Sequence, residues 1–273
     1  MNKIFLICIN ILIASISKAQ FYMGVQSSYN IAVQGRTLGD FLLIDGSFSN
    51  TTNDNVFKDK RSSFGGGLKF GAIIGYQVNQ YIGIELNSNF HKTNQVSTKA
   101  TEGNNTTNMS MNGNIISLNP ALVGYFFNGN PKIYSKLGIV YNSGKFIYNY
   151  NLKTASNQES YSYNLNKGSA LGLSFSFGAD WKLKQRISIR TELCYISANY
   201  YPKKAYLEKY EENGQNQMPS INPKDFEITY SKSGNSDGEY YGSALGEGTL
   251  LRPQIPMNGL GLNVGVIYLF RKK

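Results

Sequence analysis

Seven ionisable side chains stand where a polar interior would place them. Lys69, Lys136 and Arg190 oppose Glu85, Asp180 and Glu192, and the chain's one histidine is His91. Each lies on the small, polar parity of an alternating segment, so all point to the same side of their strands. Lys136, Asp180 and Arg190 sit about three or four residues from the ends of their segments, with Glu85 and Glu192 close in height. At ~3.3 Å per residue the charges share one layer roughly 10–13 Å above the adjoining turns. Buried charge is tolerated when paired. The six therefore predict a charge-balanced ionic network, Lys69, Glu85, Lys136, Asp180, Arg190 and Glu192, that closes the interior. A gated pathway through that network is the alternative. His91 is the one candidate base for a nucleophilic system acting on lipid, but spacing places no serine or carboxylate beside it. Its other role is that of a hydrogen-bonded histidine at the interior's mouth. One histidine and two cysteines give no metal-ligand spacing. No catalytic, cofactor-binding or metal residue is assigned, and no enzyme is expected.

The elements that would carry these charges are strands. From Ala170 to Trp181, Leu171, Leu173, Phe175, Phe177, Ala179 and Trp181 alternate with Ala170, Gly172, Ser174, Ser176, Gly178 and Asp180. The pattern recurs at 21–30, 66–76, 81–91, 115–126, 132–142, 170–181, 187–197 and 259–270, near the ~9–11 residues of a tilted membrane-crossing strand. Outward rows include Met23 and Val25, Leu68, Phe70 and Ile74, Ile82, Ile84 and Leu86, Ile116, Leu118 and Leu122, Leu137 and Ile139, Leu193, and Leu262, Val264 and Val266. Gaps alternate between tight turns (78–80, 128–131, 182–186) and long stretches (31–65, 92–114, 143–169, 198–258). The prediction is all-β: an eight-stranded antiparallel transmembrane up-and-down β-barrel with short periplasmic turns and long extracellular loops. Ten strands is the variant, with 146–151 and 159–166 as arms above the bilayer. A soluble barrel of lipocalin type would need a charged outer row instead of Gly, Ser and Asn.

Residues 1–19 read as a secretory signal peptide: Lys3, an apolar run from Ile4 to Ile16, and Ser17-Lys18-Ala19 before Gln20. Residues 20–273 form the barrel domain. With the eighth strand at the end of the chain, no periplasmic domain is expected to follow. The mature portion keeps one cysteine, Cys194, expected as an inert filler. A hydrophobic content of 41% and a mean hydropathy of −0.31 fit strands that show one face to a polar lumen. Of the net charge of +10, the signal peptide takes Lys3 and Lys18, and seven cations gather at the periplasmic rim (Lys132, Lys182, Lys184, Arg186, Arg271, Lys272, Lys273), where headgroup phosphates can hold them. No basic stripe is interleaved with aromatics, so nucleic acid is not an expected partner. Tyr76, Phe126, Phe127, Trp181, Tyr268 and Phe270 form one interfacial girdle, and Tyr29, Phe64, Phe90, Tyr141 and Tyr195 the other. The last loop, with Tyr200, Tyr201, Tyr206, Tyr210, Tyr230, Tyr240 and Tyr241, is either a contact surface or folds against strands extended above the membrane.

The segments Tyr81-Ile-Gly-Ile-Glu-Leu-Asn, Ile116-Ser-Leu-Asn-Pro-Ala-Leu-Val-Gly-Tyr-Phe-Phe, Lys132-Ile-Tyr-Ser-Lys-Leu-Gly and Val264-Gly-Val-Ile-Tyr-Leu-Phe resemble the outer-membrane β-barrel family of Bacteroidetes type (PorT-like, OmpA-like transmembrane barrels). The resemblance covers the strands and not the loops. It implies the fold and a bacterial outer-membrane location, and transfers no active-site residue. The expected function is structural or interactive: envelope integrity, surface recognition or part of an outer-membrane assembly such as a secretion system. The expected partners are outer-membrane lipids, lipopolysaccharide and other envelope proteins. A narrow pore for small solutes and a lipid-modifying enzyme using His91 are the alternatives.

Overall fold

The computed structural model describes residues 20–33, 44–48, 57–59, 63–231, 249–251 and 253–270. The expected signal peptide, Tyr240, Tyr241 and the basic residues 271–273 lie outside them. Eight antiparallel strands close on themselves: β1 (Gln20–Ala32), β2 (Gly67–Gln77), β3 (Ile82–Thr93), β4 (Asn105–Phe127), β5 (Lys132–Lys153), β6 (Gln158–Lys182), β7 (Ile187–Tyr201) and β8 (Gly259–Phe270). Each pairs with its chain neighbours, and β8 returns to β1 in a register running from Phe21 opposite Phe270 to Ala32 opposite Gly259. A ring satisfies the ladder hydrogen bonds of every strand and leaves no edge, the condition for crossing a lipid bilayer with strands.

Alternation sets which face each residue takes. Val25, Phe70, Ile74, Ile84, Ile116, Leu122, Leu137, Leu171, Leu173, Phe175, Leu262 and Val264 are exposed on the outer wall, while Ile73, Glu85, Lys136, Arg190 and Asn263 are buried inside. Tyr76, Phe126, Phe127, Trp181, Tyr268 and Phe270 ring the outside of one end. Phe64 is not in the opposite girdle. It is fully buried, because residues 63–66 turn inward over the barrel mouth instead of continuing the outer wall.

The strand count holds, but three strands are much longer than the alternation alone indicates. β4, β5 and β6 run 23, 22 and 25 residues, so much of 92–114 and 143–169 is sheet, not loop. The upper halves alternate Tyr, Asn and Ser more than Leu and Ile, and that hides them from a pattern tuned to a lipid-facing row. Val96–Glu102 pairs with upper β4. Lys204–Glu212 adds to upper β6, Glu227–Ser231 adds to it in turn, and Ile255–Pro256 pairs with β7 at Asn199 and Tyr200. The described part of the last loop thus folds against the extended strands. The tight turns are pinned by asparagines. Asn79 Oδ1 accepts from the backbone N–H of Tyr81 and Ile82. Asn130 Oδ1 accepts from Lys182 N–H, tying one turn to the next.

Candidate functional site

Strands β3, β5, β6 and β7 bring five of the six interior charges together. Lys136 Nζ lies 2.7 Å from Glu85 Oε1 and also ion-pairs with Glu192. Arg190 Nη1 donates to Glu85 Oε2 at 2.5 Å. The same guanidinium grips Asp180 with both prongs of its fork, Nε to Oδ1 at 2.7 Å and Nη2 to Oδ2 at 2.9 Å, the planar geometry that favours arginine over lysine. Register explains the meeting, since Arg190 stands opposite Asp180 across the β6–β7 ladder.

Neutral donors complete the carboxylates' coordination. Tyr22 OH donates to Glu85 Oε2 at 2.8 Å and Asn87 Nδ2 to Glu85 Oε1 at 3.0 Å. Tyr134 OH donates to Glu192 Oε2 at 3.1 Å and Asn263 Nδ2 to Glu192 Oε1 at 2.8 Å. Arg190 lies between two rings, its Cζ 4.8 Å from the Tyr134 centroid and 5.4 Å from that of Tyr22. Every buried charge here has an opposite charge and at least one further hydrogen bond, the arrangement that offsets desolvation. Two glycines make room for the rings. A Cβ on Gly75 would stand 2.1 Å from Tyr22 Cζ, and one on Gly178 2.5 Å from Tyr134 OH.

Lys69 does not join the cluster. It pairs in register with His91, six residues along β2 from Gly75, the partner of Glu85, which is roughly 20 Å of strand. A shared layer for all six charges is therefore incorrect for Lys69. Among the described residues no carboxylate ion-pairs with it. Lys132 stands at the turn end of β5, as expected for the periplasmic rim, but its side chain turns inward: its Nζ donates to Gln77 Oε1 at 2.6 Å and lies 3.8 Å from the Tyr125 ring centroid. His91 is 1% exposed, and its Nε2 donates to Gly66 O at 3.2 Å. That bond fixes the ring to the backbone beneath the mouth, and among the described residues no serine or carboxylate hydrogen-bonds to it. Cys194 is buried, its thiol 3.4 Å from Asn263 Oδ1.

The lumen is layered. Above the ionic cluster come amides and hydroxyls: Gln26 Nε2 donates to Asn89 Oδ1 at 2.9 Å, Ser174 Oγ to Asn119 Oδ1 at 3.0 Å and Ser117 Oγ to Asn142 Oδ1 at 2.5 Å. Above these lies an apolar cap of Phe64, Met111, Ile115, Phe146, Leu165, Tyr200, Ile255 and Met257. Phe146 joins it together, 5.2 Å from Phe64 and 5.0 Å from Tyr200 between ring centroids. The backbone bonds Phe64 N–H to Pro256 O (2.8 Å) and Met257 N–H to Ala198 O (2.8 Å) hold the two capping segments down. Residue types and spacing did not single out Tyr22, Tyr134 or this cap. The signal for the tyrosines was a large aromatic on the glycine parity, opposite a glycine on the neighbouring strand.

The family model described as outer membrane protein beta-barrel domain matches residues 14–240. Among solved structures, the chain is similar to the outer membrane protein OprG from Pseudomonas aeruginosa, at 12% identity over 93% of this chain and 96% of that one, with a TM-score of 0.44. It is also similar to Neisserial surface protein A (10% identity, 92% and 99% coverage, TM-score 0.40). A third is Ail, the attachment invasion locus protein of Yersinia pestis, in complex with a heparin analogue (12% identity, 92% and 97%, TM-score 0.32). No curated protein matches the chain significantly.

Proposed function

This chain belongs to the outer membrane protein beta-barrel domain family and resides in the bacterial outer membrane, and within that family we propose that it is a sealed barrel acting through its outer extension as a structural or interaction protein. The observation carrying the proposal is the double filling of the lumen, by a satisfied ionic cluster toward the turns and an apolar cap toward the loops. An eight-stranded barrel is only just wide enough for side chains to fill, so two such layers leave no continuous water column. A PorT-like or OmpA-like role in envelope integrity, surface recognition or an outer-membrane assembly follows from the same reading. Its partners would be outer-membrane lipids, lipopolysaccharide and other envelope proteins.

The contact surface proposed is the sheet of upper β5, upper β6 and Lys204–Glu212. Tyr150, Tyr161 and Tyr210 stand in one cross-strand row there. Tyr161 and Tyr210 stack at 4.6 Å with planes 7° apart. Stacked tyrosines present rigid, amphipathic area at low entropic cost, which suits recognition. Planar-bilayer recording of the purified barrel is the test of sealing. No conductance is expected, and stable single-channel steps from the wild type would refute a sealed lumen. Photo-crosslinking in intact cells from positions 206 and 210 tests the contact surface. The interaction role fails if nothing is captured and removing 204–231 leaves envelope phenotypes unchanged.

A further inference from the structure

We propose that the chamber between the ionic cluster and the apolar cap holds one small inorganic monoanion of halide size, bound by the Lys69 ammonium with the Asn30 amide at its wall. The argument begins with charge. In the cluster, Lys136 and Arg190 face three carboxylates, and Lys132 lies below on the Asp180 side, opposite it in register. Lys69 is left as a buried cation, 7% exposed, with no carboxylate paired to it among the described residues. Within a bilayer an uncompensated ammonium is costly, and such groups are found paired.

The second observation is independent of charge. Asn30 is 0% exposed, and neither its Nδ2 nor its Oδ1 has a hydrogen-bond partner. Buried amides are normally satisfied, and an orphan points to a missing atom or ion. The two groups converge. Asn30 lies against Gly261, 2.1 Å from where a Cβ would stand, and Gly261 faces Cys194 across the β7–β8 ladder. Asn30 and Lys69 are also diagonal neighbours on the inward face of the β1–β2 ladder, Asn30 opposite Gly67 and Ser28 opposite Lys69. Space is present as well, since inward-facing Gln26, Asn89 and Asn119 are only half-buried. Ser28, opposite Lys69 in register, adds a hydroxyl to the same wall.

The same residues select the anion. One ammonium and neutral donors balance a single negative charge, and the His91 Nε2–H is already committed to Gly66 O. A divalent oxyanion would leave charge uncompensated. Water alone satisfies donors but neutralises nothing.

The experiment refolds the full chain in bromide, so that entry past the cap does not limit loading, and records anomalous diffraction at the bromine edge. The expected result is one luminal peak in contact with Lys69 Nζ that is absent from Lys69→Met. In solution, chloride should raise the unfolding midpoint of the wild type over gluconate at equal ionic strength, and not that of Lys69→Met. If Lys69→Met fails to fold, Asn30→Ala supplies the comparison, with bromide binding weakened roughly tenfold by loss of one donor. Absence of a wild-type peak, a peak unchanged in the variants, or equal midpoints in chloride and gluconate overturns the proposal. None of these outcomes bears on conductance, so the sealed-barrel reading is tested separately.

Discussion

Replacing Arg190 by methionine should be among the most damaging single changes in this protein. The guanidinium makes two bonds to Asp180 and one to Glu85, and nothing else on β7 can substitute. Its loss leaves Glu85 and Glu192 sharing Lys136, and Asp180 with no ion pair among the described residues. Breaking a buried pair by removing one partner costs about 3–5 kcal/mol, roughly two to three and a half powers of ten in the folded-to-unfolded ratio. The cost comes from stranded carboxylates, so neutralising them should recover most of it. Arg190→Met combined with Glu85→Gln and Asp180→Asn keeps a balanced Lys136–Glu192 pair and should lie within about 1–2 kcal/mol of the wild type, since whole buried ion pairs are often neutral to replace. Urea unfolding from lipid vesicles reads both values through Trp181, the chain's one tryptophan, next to Asp180. An Arg190→Met variant within about 1 kcal/mol of the wild type, or a triple variant no better than the single, would refute the reasoning.

Four further outcomes follow from the geometry. Gly75→Ala should cost about 1–3 kcal/mol by driving a methyl into the Tyr22 ring, and Tyr22→Ala in the same chain should cost less than the two changes summed, read by the same unfolding assay. Phe64→Ala should cost about 3–5 kcal/mol and open residues 63–66 and 253–258 to protease in intact cells. Burial holds the hydroxyls of Tyr148, Tyr163 and Tyr230 above the ordinary tyrosine range, as burial and then the bond to Glu159 do for Tyr161. Absorbance titration should therefore show a set ionising well after the exposed tyrosines, and reduced by Tyr163→Phe or Tyr230→Phe. The bond between Lys204 and Glu227 lowers the carboxyl and raises the ammonium. Glu227's contribution is thus present above its unfolded value of ~4.3 and lost as pH falls below it, and Lys204's is present below ~10.4 and lost above. Hydrogen-exchange protection at Ala205 and Ile228, which pair in register, should fall at both extremes and change little between, once the intrinsic pH dependence of exchange is divided out.

Much of this molecule is legible in its sequence because lipid imposes a strict period. Leu171, Leu173, Phe175 and Phe177 cannot all face outward unless the chain is a strand in register, and the ring of eight follows from repeating that row. The upper halves of β4, β5 and β6 obey no such rule. Tyr148, Tyr150, Tyr161 and Tyr163 alternate there with Asn149, Asn151, Ser160 and Ser162, which marks 146–151 and 159–166 as strand-like arms, but without a lipid-facing aliphatic row the pattern does not show that they continue β5 and β6. Among the charges, parity placed Glu85, Lys136, Asp180, Arg190 and Glu192 inside, but height along tilted strands depends on register. Counting residues from the turns therefore put Lys69 in the wrong layer. The inward turn of Lys132 was not legible because a position next to a turn says nothing of where a long, flexible side chain swings. The cap was invisible because Phe64, Met257 and Phe146 are brought together only by closure.

The seam between β1 and β8 governs how the protein comes into being. Twelve consecutive residue pairs, from Phe21–Phe270 to Ala32–Gly259, join stretches separated by almost the whole chain. Loop closure over that separation costs about 5 kcal/mol in entropy, and the ladder repays it only once both strands are in place. Contacts this distant in sequence make folding slow and cooperative. An incomplete chain would present two unpaired sheet edges to the bilayer, which lipid does not tolerate. Membrane entry and ring closure are then a single event, timed by delivery of the final strand.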